Sequence, residues 1–179
     1  KLYTQRMNNY LFKNKKLISI NDNLVDKIWK KKKKNNISKF FILKKNVAGQ
    51  DSKSKISKIS KIFKKKKIDY QFITAPENIA WLLNLRGKDS NFSPIPNSYM
   101  ILKKNNIINL FCNPKKIDKK LKMKLRNIKI ENISQIKIFL DKLKNKRIQI
   151  DKLSCSVFFE SILKKNNKIV EQIDPTYYL

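Results

Sequence analysis

The chain has 179 residues, 41% of them hydrophobic, which predicts one folded domain with an apolar core plus an extension. It contains no His, and 43 Lys and Arg against 13 Asp and Glu give a formal net charge of +30. It has no run of about 20 apolar residues, so no membrane span is expected. Lys1–Tyr10 lacks the apolar stretch of a signal peptide.

The positive charge admits two interpretations. Charge of this density is typical of nucleic-acid binding. Nearly all of it is Lys, however, and Arg, which is favoured for forked recognition of phosphates and bases, occurs only at Arg6, Arg86, Arg126 and Arg147. The Lys residues are spread along the chain with abundant Asn and Ile, as the codon bias of an AT-rich genome produces. We expect salt-dependent, non-specific polyanion adhesion, and a selected nucleic-acid site stays open as the alternative.

Residues 1–35 are interpreted as the tail of a preceding domain and a linker. A helical stripe opens the chain with Leu2, Tyr3, Met7, Tyr10 and Leu11. Because the chain begins inside this stripe without Met, we expect a fragment. Leu17–Ile20 is predicted as a short strand, and Asn21–Asn23 would cap a short helix that carries Trp29. The like-charged run Lys30–Asn36 is predicted to be a linker, which places the main domain at residues 36–179.

The main domain begins with a strand–helix–strand pattern. Phe40–Leu43 is predicted as its first strand and Asp69–Thr74 as its second. Between them, Asp51 or Ser52 would cap a helix, and Lys64–Lys67 would complement the dipole at its C-terminal end. A crossover of this kind predicts that the two strands are parallel.

A helix and a hairpin follow. Pro76 suits the first turn of a helix, and Gly87 is predicted to end it. After a loop with two prolines, Ser98–Leu102 and Ile107–Phe111 are predicted to form an antiparallel hairpin.

The remainder alternates between helices and strands. Helices are predicted at Lys115–Arg126, Ser134–Lys144 and Ser154–Lys164, and strands at 128–130, 147–150 and 168–170. The pattern predicts an α/β fold with a mixed, mostly parallel sheet flanked by helices. Cys112 and Cys155 stand alone without metal-ligand spacing, and are interpreted as buried, reduced thiols of a cytoplasmic protein.

One stretch carries a family resemblance. A-P-E-N-I-A-W-L-L-N-L-R-G-K-D at residues 75–89, N-F-S-P at 91–94 and S-Y at 98–99 resemble a segment of the second domain of three-domain Xaa-Pro aminopeptidases, in the creatinase N-terminal superfamily. The residues that keep the spacing are Trp81, Asn84, Arg86, Gly87, Asp89, Pro94 and Tyr99. Weaker similarity at 23–29 and 174–179 extends the resemblance over most of the chain. It implies a creatinase N-terminal-like fold.

The resemblance also implies where the catalytic chemistry lies. The metal centre of the family uses two Asp, one His and two Glu of a later catalytic domain. This chain has no His and only four Glu, at Glu77, Glu131, Glu160 and Glu171, so we expect no catalytic, cofactor or metal residues in it. The parent would use Mn or Zn.

The sequence bears on two other kinds of site. Gly49 and Gly87 are too far apart for a phosphate-binding loop. Trp81 could stack a base, but its place on an apolar helix face favours the core.

The loop after the helix is the candidate site. Arg86, Asp89, Asn91 and Ser98 are predicted to face the catalytic domain and shape the substrate cleft. The alternative is structural, with Arg86 bonding the last helix carbonyls or pairing with Asp89.

The sequence therefore predicts a non-catalytic domain of an Xaa-Pro aminopeptidase-like metallopeptidase, whose parent removes an N-terminal residue before proline. Its predicted partners are the catalytic domain of the same polypeptide and a second copy in a homodimer, with no membrane contact. A standalone nucleic-acid-binding module and a degenerate pseudoenzyme remain the alternatives.

Overall fold

The computed structural model describes residues 3–13, 15, 18, 20, 24–29 and 37–179. The strands are β1 (Phe41–Ile42), β2 (Tyr70–Ile73), β3 (Leu85–Arg86), β4 (Tyr99–Lys103), β5 (Ile108–Cys112), β6 (Ile128–Asn132), β7 (Arg147–Ile150) and β8 (Lys168–Glu171). The α-helices are α1 (Gln5–Leu11), α2 (Leu24–Ile28), α3 (Lys45–Ala48), α4 (Ser52–Lys66), α5 (Pro76–Leu83), α6 (Lys119–Lys124), α7 (Ile136–Asp141) and α8 (Val157–Lys164). Short 3-10 helices cover Pro114–Lys116, Ile133–Gln135 and Pro175–Tyr178.

A six-stranded mixed sheet forms the centre of the fold, in the order β6-β5-β4-β2-β7-β8. The pairs β5–β6, β2–β7 and β7–β8 are parallel, whereas β4 runs antiparallel to both β2 and β5. The predicted α/β fold and the predicted antiparallel hairpin are confirmed.

The sheet has an apolar cluster on each face. Successive strand residues point to opposite faces, so Ile73 and Leu102 join the cluster beneath α4, α5 and α6. Phe72 and Ile101 join the cluster beneath α7 and α8. Cys112 belongs to the first cluster and Cys155 to the second, both fully buried and unpaired, as predicted.

The predicted pairing of the first strand is wrong. β1 does not join the main sheet; it pairs antiparallel with β3, with Phe41 opposite Arg86 and Ile42 opposite Leu85. Both sides of β2 are already taken, because β4 and β7 pair with it. The main chain continues the contact as the N–H of Leu43 donates to the carbonyl of Asn84 at 2.9 Å. β1 therefore holds the segment that follows α5.

Several predicted helix ends also differ. α4 begins as predicted, with the carboxylate of Asp51 accepting from the N–H of Ser54 at 2.9 Å. α5 ends at Asn84, which adopts a left-handed conformation with φ 53°, and not at Gly87. The predicted helix from Lys115 is broken, because Asp118 caps a new helix by accepting from the N–H of Leu121 at 2.7 Å. α7 and α8 are likewise shorter than predicted.

Some N-terminal predictions fall outside the described residues. These are the strand at Leu17–Ile20 in part, the cap at Asn21–Asn23 and the linker at Lys30–Asn36. None of the helices in the described part of the chain is long and apolar enough to cross a membrane.

Candidate functional site

The candidate loop follows α5, whose own sequence explains its position. Pro76 occupies the first turn, where its missing N–H requires no partner. Ile79, Leu82 and Leu83 are buried on one side and fix the helix against the sheet. Asn84 ends the helix, and its side-chain amide donates to the carbonyl of Gln50 at 2.9 Å. Asn tolerates the left-handed conformation that this end requires.

A buried lysine completes the helix end. Lys55 is 2% exposed, and its Nζ donates to the carbonyl of Trp81 and to the Oδ1 of Asn84, both at 2.7 Å. Burial lowers the pKa of Lys55, and the nearby charge of Arg86 lowers it further. The ammonium is stabilised in its buried place by the helix carbonyl end and the side-chain amide.

Lys55 also covers one face of the Trp81 ring. Its Nζ lies 4.2 Å from the centroid of the Trp81 ring, a cation–π distance. The ring is half-buried and packs against the first apolar cluster, as predicted, so this face of the ring is not open to a stacked base. Sequence analysis did not single out Lys55 among so many lysines. The available signal was its place beside Ile56 on the inward side of α4.

Arg86 bonds two carbonyls beside α5. Its Nη1 donates to the carbonyl of Ala80 at 2.7 Å and to that of Leu85 at 2.9 Å. These contacts match the structural alternative for Arg86. The guanidinium joins the last turn of α5 to β3 and so sets the direction in which the loop leaves.

Gly87 is required by a close approach of two segments. A Cβ at this position would lie 2.9 Å from two ring carbons of Phe40 and 3.0 Å from the carbonyl of Ile95. Only glycine leaves this space free. The N–H of Gly87 donates to the carbonyl of Pro94 at 3.2 Å, which closes the base of the loop.

Asp89 also stabilises the base of the loop. Its Oδ2 accepts from the N–H of Asn97 at 2.7 Å, and its Oδ1 accepts from the ammonium of Lys116. The carboxylate is mostly buried, with 10% of the side chain exposed. Asp89 therefore bonds Lys116 and the loop backbone, whereas Arg86 bonds the carbonyls of Ala80 and Leu85. The Nζ of Lys116 also lies 5.4 Å from the ring centroid of Phe40, which connects the loop to the residue before β1.

The tip of the loop is exposed, in contrast to its base. Ser98 is 1% exposed, and its hydroxyl donates to the carbonyl of Pro96 at 3.1 Å. Asn91 is exposed, and its neighbour Phe92 is 98% exposed. Of the four predicted site residues, Arg86, Asp89 and Ser98 build the base and Asn91 lies at the tip. Sequence analysis did not single out Phe92, although an aromatic residue in a polar, proline-rich loop was a usable signal.

The described residues do not offer a metal site. No group of three or more His, Cys, Asp or Glu among them is arranged to hold a metal ion. The two thiols do not supply one either, because burial raises the pKa of Cys112 to about 11 and that of Cys155 to about 12, which disfavours the thiolate. The described residues therefore do not fit a dinuclear metal centre.

Comparison with known proteins agrees with the fold. The family model of the creatinase/prolidase N-terminal domain matches residues 31–179. The chain belongs to this family. Its sequence is 32% identical over 167 residues to Xaa-Pro aminopeptidase 1 of Dictyostelium discoideum, which covers 86% of this chain and 26% of that protein. It is 31% identical over 126 residues to a probable Xaa-Pro aminopeptidase P of Pyricularia oryzae. That match covers 70% of this chain and 20% of that protein.

Solved structures show the same domain fold. An X-prolyl aminopeptidase from Caenorhabditis elegans, described as a cytosolic enzyme with a di-nuclear active site, matches with a TM-score of 0.80 at 20% identity. The match covers 89% of this chain and 27% of that one. The N-terminal domain of the cytoplasmic peptidase PepQ from Mycobacterium tuberculosis matches with a TM-score of 0.52 at 8% identity, covering 70% and 97%. This member of the family thus spans about a quarter or less of the curated relatives described above.

Proposed function

We propose that the chain is the second, non-catalytic domain of an Xaa-Pro aminopeptidase-like metallopeptidase. Residues 1–35 would be the tail of a preceding domain and a linker, and residues 36–179 the domain itself. Support comes from the relatives, which are Xaa-Pro aminopeptidases several times longer than the matched segment. The parent would act in the cytosol, where it removes an N-terminal residue that precedes proline. Its Mn or Zn would be bound by another part of the polypeptide.

The loop from Arg86 to Ser98 is the part of this domain that we assign to the substrate cleft. The observation that carries the proposal is Phe92, almost fully exposed at the tip of a loop whose base is fixed by Arg86, Gly87 and Asp89. A rigid base presents a tip in one position, and loops held in this way commonly serve as contact surfaces. Aromatic side chains are the preferred anchors of such contacts.

The test uses the polypeptide that joins this domain to its catalytic domain. Phe92→Ala should lower kcat/KM for a peptide with proline in second position by about tenfold, the effect of losing one interface anchor. Met123→Ala is the matched control, because Met123 is 75% exposed on α6, outside the loop. In the isolated chain both variants should leave the free energy of unfolding within about 0.5 kcal/mol of the wild type. If Phe92→Ala and the wild type had the same kcat/KM, the assignment of the loop to the substrate cleft would be wrong.

Three further measurements address the remaining parts of the proposal. The reading frame beyond Leu179 should encode the five metal ligands, and a frame without them would contradict a catalytic domain in the same polypeptide. The isolated chain should not cleave the peptide in the presence of Mn or Zn, so a chelator-sensitive activity would overturn the non-catalytic assignment. If the exposed loop instead joins two copies of the chain, sedimentation should show a dimer that Phe92→Ala dissociates.

A further inference from the structure

A basic groove lies where β7 and β8 begin, at one end of the sheet order. Its walls are the connection before β7 (residues 145–147) and the connection before β8 (residues 164–168), and its volume is about 590 Å³. A smaller hollow adjoins it and shares Lys146, with Asp69, Tyr70, Lys103 and Lys104 among its lining residues. We call these two depressions together the lysine groove.

Few of its charges are neutralised. Asp69 is the one acidic residue that lines the groove, and it already accepts from Lys104 at 2.9 Å and from the N–H of Arg147 at 3.0 Å. Lys164 is also paired, through Glu160 and Glu171.

Three other lysines of the groove form no close ion pair with the described residues, although the charge of Lys146 acts on the nearby Asp69. Within the described part of the chain, no ion pair involves Lys146, Lys165 or Lys168. The groove thus offers several free ammonium groups.

The strand register places two positively charged residues in neighbouring positions on adjacent strands. Arg147 and Lys168 are direct partners in the parallel pairing of β7 and β8. Like charges opposite one another destabilise a sheet. A bound anion would relieve this repulsion.

Backbone hydrogen bonds hold the walls of the groove in place. The N–H of Asn145 donates to the carbonyl of Asn166 at 2.8 Å, and that of Lys168 donates to the carbonyl of Lys146 at 2.8 Å. The amide of Asn167 supports both walls, accepting from the N–H of Lys146 at 3.1 Å and donating to the carbonyl of Leu163 at 3.1 Å. The backbone from which the lysine side chains extend is therefore fixed before any ligand arrives, which reduces the backbone entropy lost on binding.

We propose that the lysine groove binds the phosphodiester backbone of single-stranded nucleic acid. The groove is open to solvent and presents several cations from neighbouring connections, so the ligand must carry repeated negative charge, as the backbone of a single strand does. No exposed large apolar side chain lines the groove, so it lacks the inserting residues of a membrane contact. Lysines act as point charges on phosphate, so binding should be insensitive to base sequence.

The experiment compares two variants that each lose three positive charges. The groove variant is Lys146→Gln, Lys165→Gln, Lys168→Gln. The control is Lys119→Gln, Lys120→Gln, Lys122→Gln on α6, which packs over the other part of the sheet. Binding is measured by the fluorescence anisotropy of a labelled oligouridylate of about 20 nucleotides over a series of salt concentrations.

The groove variant should bind about tenfold or more weakly at 0.1 M salt, and the slope of log K against log salt should fall by about two, because each lost phosphate contact on a single strand contributes about 0.7. The control should bind within about twofold of the wild type. Thermal unfolding monitors folding, and the groove variant should melt no lower than the wild type because one like-charge pair is relieved. Equal losses in the two variants would show diffuse attraction by the net charge and overturn the proposal. So would a groove variant that binds as the wild type does or that loses only binding to anionic vesicles. The result is independent of the proposed aminopeptidase role, since no peptide is cleaved.

Discussion

Arg86→Lys tests whether the guanidinium, and not only its charge, holds the end of α5. Arg86 donates two hydrogen bonds from one nitrogen to the carbonyls of Ala80 and Leu85. A hydrogen bond from a charged donor contributes about 1.5–3 kcal/mol when its loss leaves a partly buried group without a partner. A lysine side chain is shorter and lacks the planar fork, so we expect it to keep at most one of the two bonds. The expected loss is therefore about 1.5–3 kcal/mol of the free energy of unfolding.

Urea denaturation of the chain measures this loss, and a lower melting temperature by about 3–10 °C should accompany it. Arg126→Lys is the matched control, because Arg126 is exposed in the turn after α6, and its free energy of unfolding should change by less than about 0.5 kcal/mol. If Arg86→Lys and Arg126→Lys were equally stable, the two carbonyl bonds would contribute nothing. The loop would then be set by Gly87 and Asp89 alone.

Three further outcomes follow from the same structure. Gly87→Ala should destabilise the chain by about 1–3 kcal/mol, since the new methyl group would overlap the ring of Phe40, and a wild-type urea midpoint would contradict that close approach. Cys112 and Cys155 should not react with a thiol reagent at pH 8 in the folded chain, because burial raises their pKa to about 11 and about 12, but both should react in 8 M urea; rapid labelling of the folded chain would contradict their burial. Burial acts to raise the pKa of Asp69, but hydrogen bonds from the backbone of β7 and from a neighbouring lysine outweigh it and the pKa lies below its ordinary value. Its stabilising contribution is then complete above the pKa of the unfolded chain and is lost as the pH falls through the folded pKa, so Asp69→Asn should be less sensitive to acid below about pH 4 than the wild type in a pH series of urea midpoints.

Local sequence patterns determined much of the architecture. Apolar residues at helical spacing gave α4 with its cap at Asp51, and the turn between two apolar runs gave the β4–β5 hairpin. The alternation of helices and strands in the second half gave the α/β class. These features depend on residues close together in the chain, where spacing and capping act directly. The motif around Arg86 pointed to the family for the same reason, because it is a continuous segment.

Contacts between distant segments decided the rest. β1 was predicted to run parallel to β2, but the partners of β2 depend on all the competing strands, and β4 and β7 pair with its two sides. Gly87 was read as a helix stop, whereas its requirement comes from Phe40, which lies far away in the sequence. In the sequence Lys55 does not differ from the other lysines. It is buried only because the C-terminal end of α5 offers its ammonium group the carbonyl of Trp81. The like-charged register of Arg147 and Lys168 arises only when β7 and β8 pair, so the spread of lysines along the sequence gave no sign of the groove. Composition and local periodicity thus indicated most of the elements, while tertiary packing added β3 beside β1, chose the strand partners and gathered the charges and contacts on which both proposals rest.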